Sequence, residues 1–202
     1  MKNVMNNSKK VFLMVALFAT VMGYASDNSF YISKGDANKT VITLNDVKEG
    51  NLFTIKDKNG LILYKEAIQQ NGLYKKGFDL TSLPDGSYFF ELDKDMEIKT
   101  IPFKVKVSEV VFDKDNAETI FKPSTVVKQD LLFVSKLALE GEELEISIYQ
   151  ENGFYAAPYQ LIHNETISNT KHIERVYKFV DFRKGEYKII YKTEGKTFVE
   201  FI

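Results

Sequence analysis

Leu52-Phe53-Thr54-Ile55-Lys56-Asp57-Lys58-Asn59-Gly60-Leu61-Ile62-Leu63-Tyr64 is the stretch that decides the fold. Two short runs of β-branched, aromatic and aliphatic residues flank Asp57-Lys58-Asn59-Gly60. Tight hairpin turns need positive φ, which asparagine and glycine tolerate best, so the pattern predicts two antiparallel strands joined by a turn. Further along, Phe78-Asp79-Leu80-Thr81-Ser82-Leu83-Pro84-Asp85-Gly86-Ser87-Tyr88 contains a Pro-Asp-Gly turn, after which Tyr88, Phe90 and Leu92 alternate toward one face. A turn at Asp93-Lys94-Asp95 then leads to a closing strand that ends near Val107.

The carboxy-terminal half runs through the same order with different residues. Leu144, Ile146 and Ile148 alternate, Glu151-Asn152-Gly153 supplies an Asn-Gly turn like that at Asn59-Gly60, and Lys184-Gly185-Glu186-Tyr187 mirrors Asp85-Gly86-Ser87-Tyr88. Tyr187, Ile189 and Tyr191 alternate next, a turn falls at Glu194-Gly195, and Lys196 to Ile202 forms a last strand. Asn59-Gly60 and Asn152-Gly153 lie 93 residues apart, and Gly86-Ser87-Tyr88 and Gly185-Glu186-Tyr187 lie 99 apart. Duplication explains the shared order most simply. The expected division gives one domain at 26–107 and a second at 108–202, with Glu109 to Glu118 as a short linker or a lead into the second domain. No long Pro-, Ser- or Gly-rich stretch separates them, which predicts close coupling. Ala117 to Phe121 and Lys136 to Glu143 hold at most a turn or two of helix.

Leu52 to Gly60 followed by Phe78 to Tyr88 resembles the carboxy-terminal sorting domains of type IX secretion substrates. It is equally similar to small immunoglobulin-like domains of unknown function in exported Bacteroidota proteins. Both share the grammar of a strand, Asp-x-x-Gly, a strand, then Asp-Leu-x-x-Leu-Pro-x-Gly-x-Tyr. The resemblance covers residues 40–107 and, more weakly, 137–202. It implies an all-β fold class of two tandem immunoglobulin-like antiparallel β-sandwich domains. Fold does not carry function with it.

The amino-terminus has the three zones of a secretory signal: Lys2, Lys9 and Lys10, an uncharged run from Val11 to Tyr24, and small residues at Gly23 and Ala25. Cleavage is expected after Ala25. The apolar run is 14 residues long, and a bilayer core needs about 20, so no transmembrane segment is expected in the mature chain. With no cysteine in the chain, neither a lipidated cysteine after that run nor a disulfide is available. Stability then rests on buried apolar side chains, which sixteen Phe and eleven Tyr can supply. Loss of residues 1–25 removes three lysines and no acid, taking the net charge from −1 to −4. Lysines interspersed with acids on a mildly acidic chain argue against nucleic acid as a partner. The expected address is the periplasm, cell surface or medium.

Catalytic grammar is sparse. A cysteine nucleophile is excluded, and His163 and His172 sit in no nucleophile-elbow or metalloprotease motif. They flank Ser168-Asn169-Thr170 and are expected on one surface hairpin, two ligands where a stable metal site needs three or four. Asp113, Asp115 and Glu118 are the metal candidates, a calcium-type oxygen cluster without the glycine and spaced glutamate of an EF-hand loop; a solvated acidic linker is the competing reading. Asp93, Asp95 and Glu97 form a charged hairpin tip that also discourages edge-to-edge pairing. Tyr88 and Tyr187 are expected to be buried with each hydroxyl tied to nearby backbone. Tyr74, Phe154, Tyr155 and Tyr159 fall in predicted turns or loops, outside the alternating strands. Of these, Phe154, Tyr155 and Tyr159 form the candidate contact patch for a protein or glycan partner, against the alternative of a loop folded over the sandwich end. No cofactor is expected, and the oligomeric state is left open. The expected function is a non-catalytic exported binding or structural module. The alternatives are a secretion-linked adaptor or adhesin subunit pairing through an edge strand, and a small glycan-active hydrolase with an unmarked carboxylate pair.

Overall fold

A computed structural model describes residues 30–34, 39–153, 158–180, 182–183 and 186–202. The expected signal at 1–25 lies outside them, as do Phe154 and Tyr155. The first module contains β1 (Phe30–Lys34), β2 (Thr40–Val47), β3 (Leu52–Asp57), β4 (Ile62–Ala67), β5 (Gly72–Phe78), β6 (Gly86–Asp93) and β7 (Glu97–Lys106). Two short strands follow, β8 (Glu109–Phe112) and β9 (Glu118–Phe121). The second module contains β10 (Ser124–Lys128), β11 (Leu131–Leu137), β12 (Leu144–Glu151), β13 (Tyr159–Ile167), β14 (His172–Lys178), β15 (Tyr187–Thr193) and β16 (Lys196–Phe201). Among the described residues no helix is long and apolar enough to cross a membrane.

The chain is all-β, two tandem immunoglobulin-like antiparallel sandwiches, and the strand order repeats. In the first module one sheet runs β1-β2-β5 and the other β4-β3-β6-β7; in the second the corresponding sheets run β10-β11-β14 and β13-β12-β15-β16. Each module thus pairs its first, second and fifth strands against its fourth, third, sixth and seventh. This is the Greek-key sandwich with the fourth strand moved beside the third.

The predicted alternation is what fills the space between the sheets. Phe53, Phe90, Leu92 and Phe103 face Ile42 and Leu44 in the first core, with Phe90 and Phe103 stacked at 4.7 Å between ring centroids. Burying each such side chain stabilises by about 2–3 kcal/mol. The second core is mainly aliphatic, with Leu132, Val134, Ile146, Ile148 and Ile189 around Tyr187 and Tyr191. Tyr88 is buried and its hydroxyl donates to the Pro84 carbonyl at 2.7 Å, a tyrosine corner that fixes the entry into β6. The Asp57 to Gly60 turn is closed by its own aspartate: Asp57 Oδ1 accepts from the Asn59 and Leu61 amides, both at 2.9 Å, while Gly60 takes φ 85°.

Three expectations need correction. Asn152-Gly153 does not make a second tight hairpin, because Glu151 pairs with Tyr159 and leaves a seven-residue connection. Tyr74 and Tyr159 lie in strands, Tyr74 opposite Leu44 and Tyr159 opening β13. The division at 107/108 falls inside a hairpin: Lys106 pairs with Glu109, and Val107 and Ser108 take φ of 50° and 60°. The chain therefore turns back along β7, with β8 pairing Phe103–Lys106 and β9 pairing Glu97–Thr100. The interruption between them lies beside Pro102, which has no amide to donate and accepts from the Asp113 amide at 3.0 Å. The first module's sheet thus extends to Phe121 before the chain enters β10.

Candidate functional site

Polar side chains close the open side of both sandwiches in the same way, between the fourth and fifth strands. In the first module, Glu66 on β4 accepts from the Tyr64 hydroxyl, from Tyr74 at 2.7 Å and from Lys76 at 2.7 Å, and Lys76 also donates to the Tyr64 oxygen at 2.5 Å. Lys76, Tyr64 and Tyr74 together hold the Glu66 carboxyl down to about 2, and burial beside that anion pushes the Tyr74 hydroxyl up. In the second module, Glu165 on β13 accepts from Tyr177 at 2.5 Å, from Arg175 at 3.1 Å and pairs with His163 at 3.3 Å. Burial alone would raise the Glu165 carboxyl, but those three groups outweigh it and the net shift is downward. Tyr64/His163, Glu66/Glu165, Lys76/Arg175 and Phe78/Tyr177 are each 99 residues apart. The Tyr64–Phe78 and His163–Tyr177 ring pairs both have centroids 5.1 Å apart. These clusters fasten sheet to sheet and leave no acid poised to give up a proton.

The outer faces of the first module's extended sheet and of the second module's four-stranded sheet are different surfaces. On the first, Thr54, Glu91, Ile98 and Ile120 are buried, while Ile62 and Val111 stay exposed. Glu91 accepts from Lys56 at 2.6 Å and, across the module boundary, from Lys196 at 2.7 Å. Burial opposes its ionisation, but Lys196 and Lys56 hold the carboxyl below its ordinary range. On the second, Tyr149 stands in a cross-strand row with Leu161, Lys188 and Phe201. The Lys188 ammonium sits 4.8 Å over the Tyr149 ring and 4.5 Å over the Tyr159 ring, and Tyr159 contacts Phe201 at 6.2 Å between centroids. Leu161, Val199 and Phe201 are 49%, 48% and 62% exposed. This platform of tyrosines, one cation and exposed apolar side chains is the candidate contact surface.

Of the expected binding residues, Tyr159 belongs to the platform, while Phe154 and Tyr155 lie outside the described residues in the connection that leads to it. Sequence reading missed Tyr149, Leu161, Lys188, Val199 and Phe201. The usable signal was the phase of Tyr149, which is opposite to that of buried Leu144, Ile146 and Ile148. A second exposed apolar row, Val126–Phe133–Val176, crosses the other sheet of the same module, without the ring and cation contacts. Asp113, Asp115 and Glu118 do not converge: Asp113 accepts from the Asn116 side-chain Nδ2 at 2.9 Å and Glu118 starts β9. Among the described residues no group of three or more His, Cys, Asp or Glu could hold a metal ion. His163 and His172 are not on one hairpin, since β13 and β14 belong to different sheets. A cleft of about 260 Å³ between the modules is lined by Met96, Phe121, Lys136 and His172; Lys136, wholly covered, is satisfied there by the Leu137 carbonyl at 3.0 Å and Glu194 at 3.2 Å.

No family model and no curated protein matches the chain. Among solved structures, native alpha-2-macroglobulin from Escherichia coli, spanning domains NIE-MG1, is similar to it at 11% identity and a TM-score of 0.28, covering 81% of this chain and 88% of that one.

Proposed function

We propose that this is a non-catalytic exported binding module that meets a protein partner through the outer face of its second four-stranded sheet. The observation that carries the reading is the Tyr149–Tyr159–Lys188–Phe201 platform, in which a cation and aromatic rings stand together, whereas the first module buries Thr54, Glu91, Ile98 and Ile120 on the corresponding face. A small protein gains by covering an aromatic and aliphatic patch of this kind, whereas scattered single apolar residues carry no such meaning. Flanking aliphatics such as Leu161 and Val199 suit a protein surface better than a sugar, for which stacked bare rings suffice. The non-catalytic reading is supported by the carboxylates themselves: the shifted ones, Glu66, Glu91, Asp95, Glu145 and Glu165, all move downward. A glycosidase-type acid needs one moved up. The amino-terminal Lys2, Lys9 and Lys10 followed by the uncharged Val11 to Tyr24 run supports export.

The test is photo-crosslinking in the producing cell from a reactive residue placed at 161 or 201, with position 180 as the control, where Val180 is 83% exposed away from the platform. A single defined protein adduct from 161 and 201, absent from 180 and lost on Tyr149→Ser, is the expected result. Equal labelling from all three positions, or adducts to glycan alone, overturns the reading. Amino-terminal sequencing of the same material is expected to begin at Ser26, and an intact Met1 would refute export.

A further inference from the structure

The two modules differ at one sheet edge. In the first, the seventh strand is covered on its outer side: Pro102 and Met96 accept through their carbonyls from Asp113 at 3.0 Å and Lys122 at 2.9 Å, and β9 pairs Glu97–Thr100. In the second, β16 ends its sheet, and among the described residues no strand pairs its far side. The reciprocal Tyr187–Ile202 backbone bonds, at 3.0 and 3.3 Å, fix which groups point where. Even-numbered residues of β16 bond to β15, so Thr197, Val199 and Phe201 turn their amides and carbonyls outward. These are the positions 99 residues beyond Ile98, Thr100 and Pro102, which face the covering segment in the first module. Exposed edges are normally blunted by proline, a bulge or charged side chains, lysine above all. Within β16 there is no proline and no bulge, and its one lysine, Lys196, is turned to Glu91 of the same chain.

We propose that β16 pairs antiparallel with β16 of a second copy of this chain about a twofold axis at Val199, joining the two four-stranded sheets into one of eight strands. The pattern along the strand is self-complementary in that register. Outward-bonding residues meet outward-bonding residues, with Val199 facing its own copy and Thr197 facing Phe201, an aromatic and β-branched pairing that sheets favour. The strand carries one cation, Lys196, which is paired with Glu91 of its own chain, and one anion, Glu200, which in this register stands opposite Phe198 of the other copy and not opposite a second acid. Val199 and Phe201, 48% and 62% exposed, would line the seam and make the two aromatic platforms continuous. The same surface then meets itself, which gives a closed dimer and not a filament. This pairing does not depend on what the platform binds.

Because the chain has no cysteine, Val199→Cys is a clean probe. Cα atoms of a hydrogen-bonded antiparallel pair are about 5.5 Å apart, within disulfide reach. The purified variant at about 50 μM is expected to form a disulfide dimer in high yield under mild oxidation, while Val180→Cys stays monomeric. Sedimentation of the unmodified chain should show dimer growing with concentration, and Val199→Pro, which removes an outward amide and no bond to β15, should be folded and monomeric. Thr197→Pro gives the same answer should Val199→Pro fail to fold. A chain that stays monomeric at millimolar concentration, or cysteines at 180 and 199 that cross-link alike, overturns the proposal. Crosslinking of a foreign partner from position 161 would still stand, so the two readings fail separately.

Discussion

Replacing Glu66 by Gln keeps the side-chain shape and removes the anion that Tyr64, Tyr74 and Lys76 share. Its carboxyl is held down from 4.5 to about 2, and each tenfold change in proton affinity is worth about 1.4 kcal/mol. The full shift would be worth about 3.4 kcal/mol, but the Glu66 side chain is 29% exposed at the rim of the sandwich, and solvent screening reduces it to about 1–2 kcal/mol. The folded value is the lower one, so this stabilisation is complete above the unfolded value of 4.5 and is lost as pH falls through 2. More than half of it is gone by about pH 3. Glu66→Gln is therefore expected to lower the melting temperature of the first module by about 5–10 °C at pH 7, and by much less at pH 3. Calorimetry of both proteins across that range, with urea titrations at each end, gives the comparison. A deficit that does not shrink on acidification would show that the cluster works by shape and packing and not by charge, and would refute the reasoning.

Tyr88→Phe deletes the hydroxyl that bonds the Pro84 carbonyl at 2.7 Å and is expected to destabilise the first module by about 1 kcal/mol in urea titration, leaving the second module's transition in place. Lys196→Met removes the cross-module partner of buried Glu91 while leaving Lys56 at 2.6 Å. It is expected to loosen the pairing of the modules, read as a larger radius of gyration in solution scattering and greater separation of the two unfolding transitions; unchanged scattering would mean that the ion pair does not hold the modules together.

Much of the fold was legible because alternation carries its own proof of face. Tyr88, Phe90 and Leu92, and Leu144, Ile146 and Ile148, can bury together only on strands, and all six are buried. The covering strands β8 and β9 were not legible. Their course is set by Val107 and Ser108 at positive φ, a conformation that a β-branched residue such as valine adopts rarely and that no local motif announces. Asp113-Lys114-Asp115-Asn116 between them has the composition of a solvated linker, which is how it reads until pairing with β7 is known. The platform was hidden for another reason. Tyr149, Lys188 and Phe201 come from three strands, and only the register of β12 on β15 and of β15 on β16 puts them in one row. One strand's pattern tells that Tyr149 points outward, but not what stands beside it.

The repeat separates what holds a module together from what a module presents. At a spacing of 99 residues, Glu66/Glu165, Lys76/Arg175 and Tyr88/Tyr187 match in kind, and each sits between the sheets or at their rim, where any change leaves a buried group without its partner. At the same spacing, Phe89/Lys188, Glu91/Ile190 and Pro102/Phe201 do not match, and all six lie on outer faces. Glu91 needs burial under Lys196 to make sense of its two lysines, and Pro102 needs the interruption between β8 and β9. Lys188 needs open ring faces, and Phe201 stands 62% exposed beside an edge that no strand pairs among the described residues. Around Glu91 the first outer face is thus built to receive the rest of its own chain. On the proposed reading the second is built to receive something else, and swapping Phe201 for proline, the residue at the matching place in the first module, should abolish dimerisation while the second core, to which that side chain does not belong, stays folded.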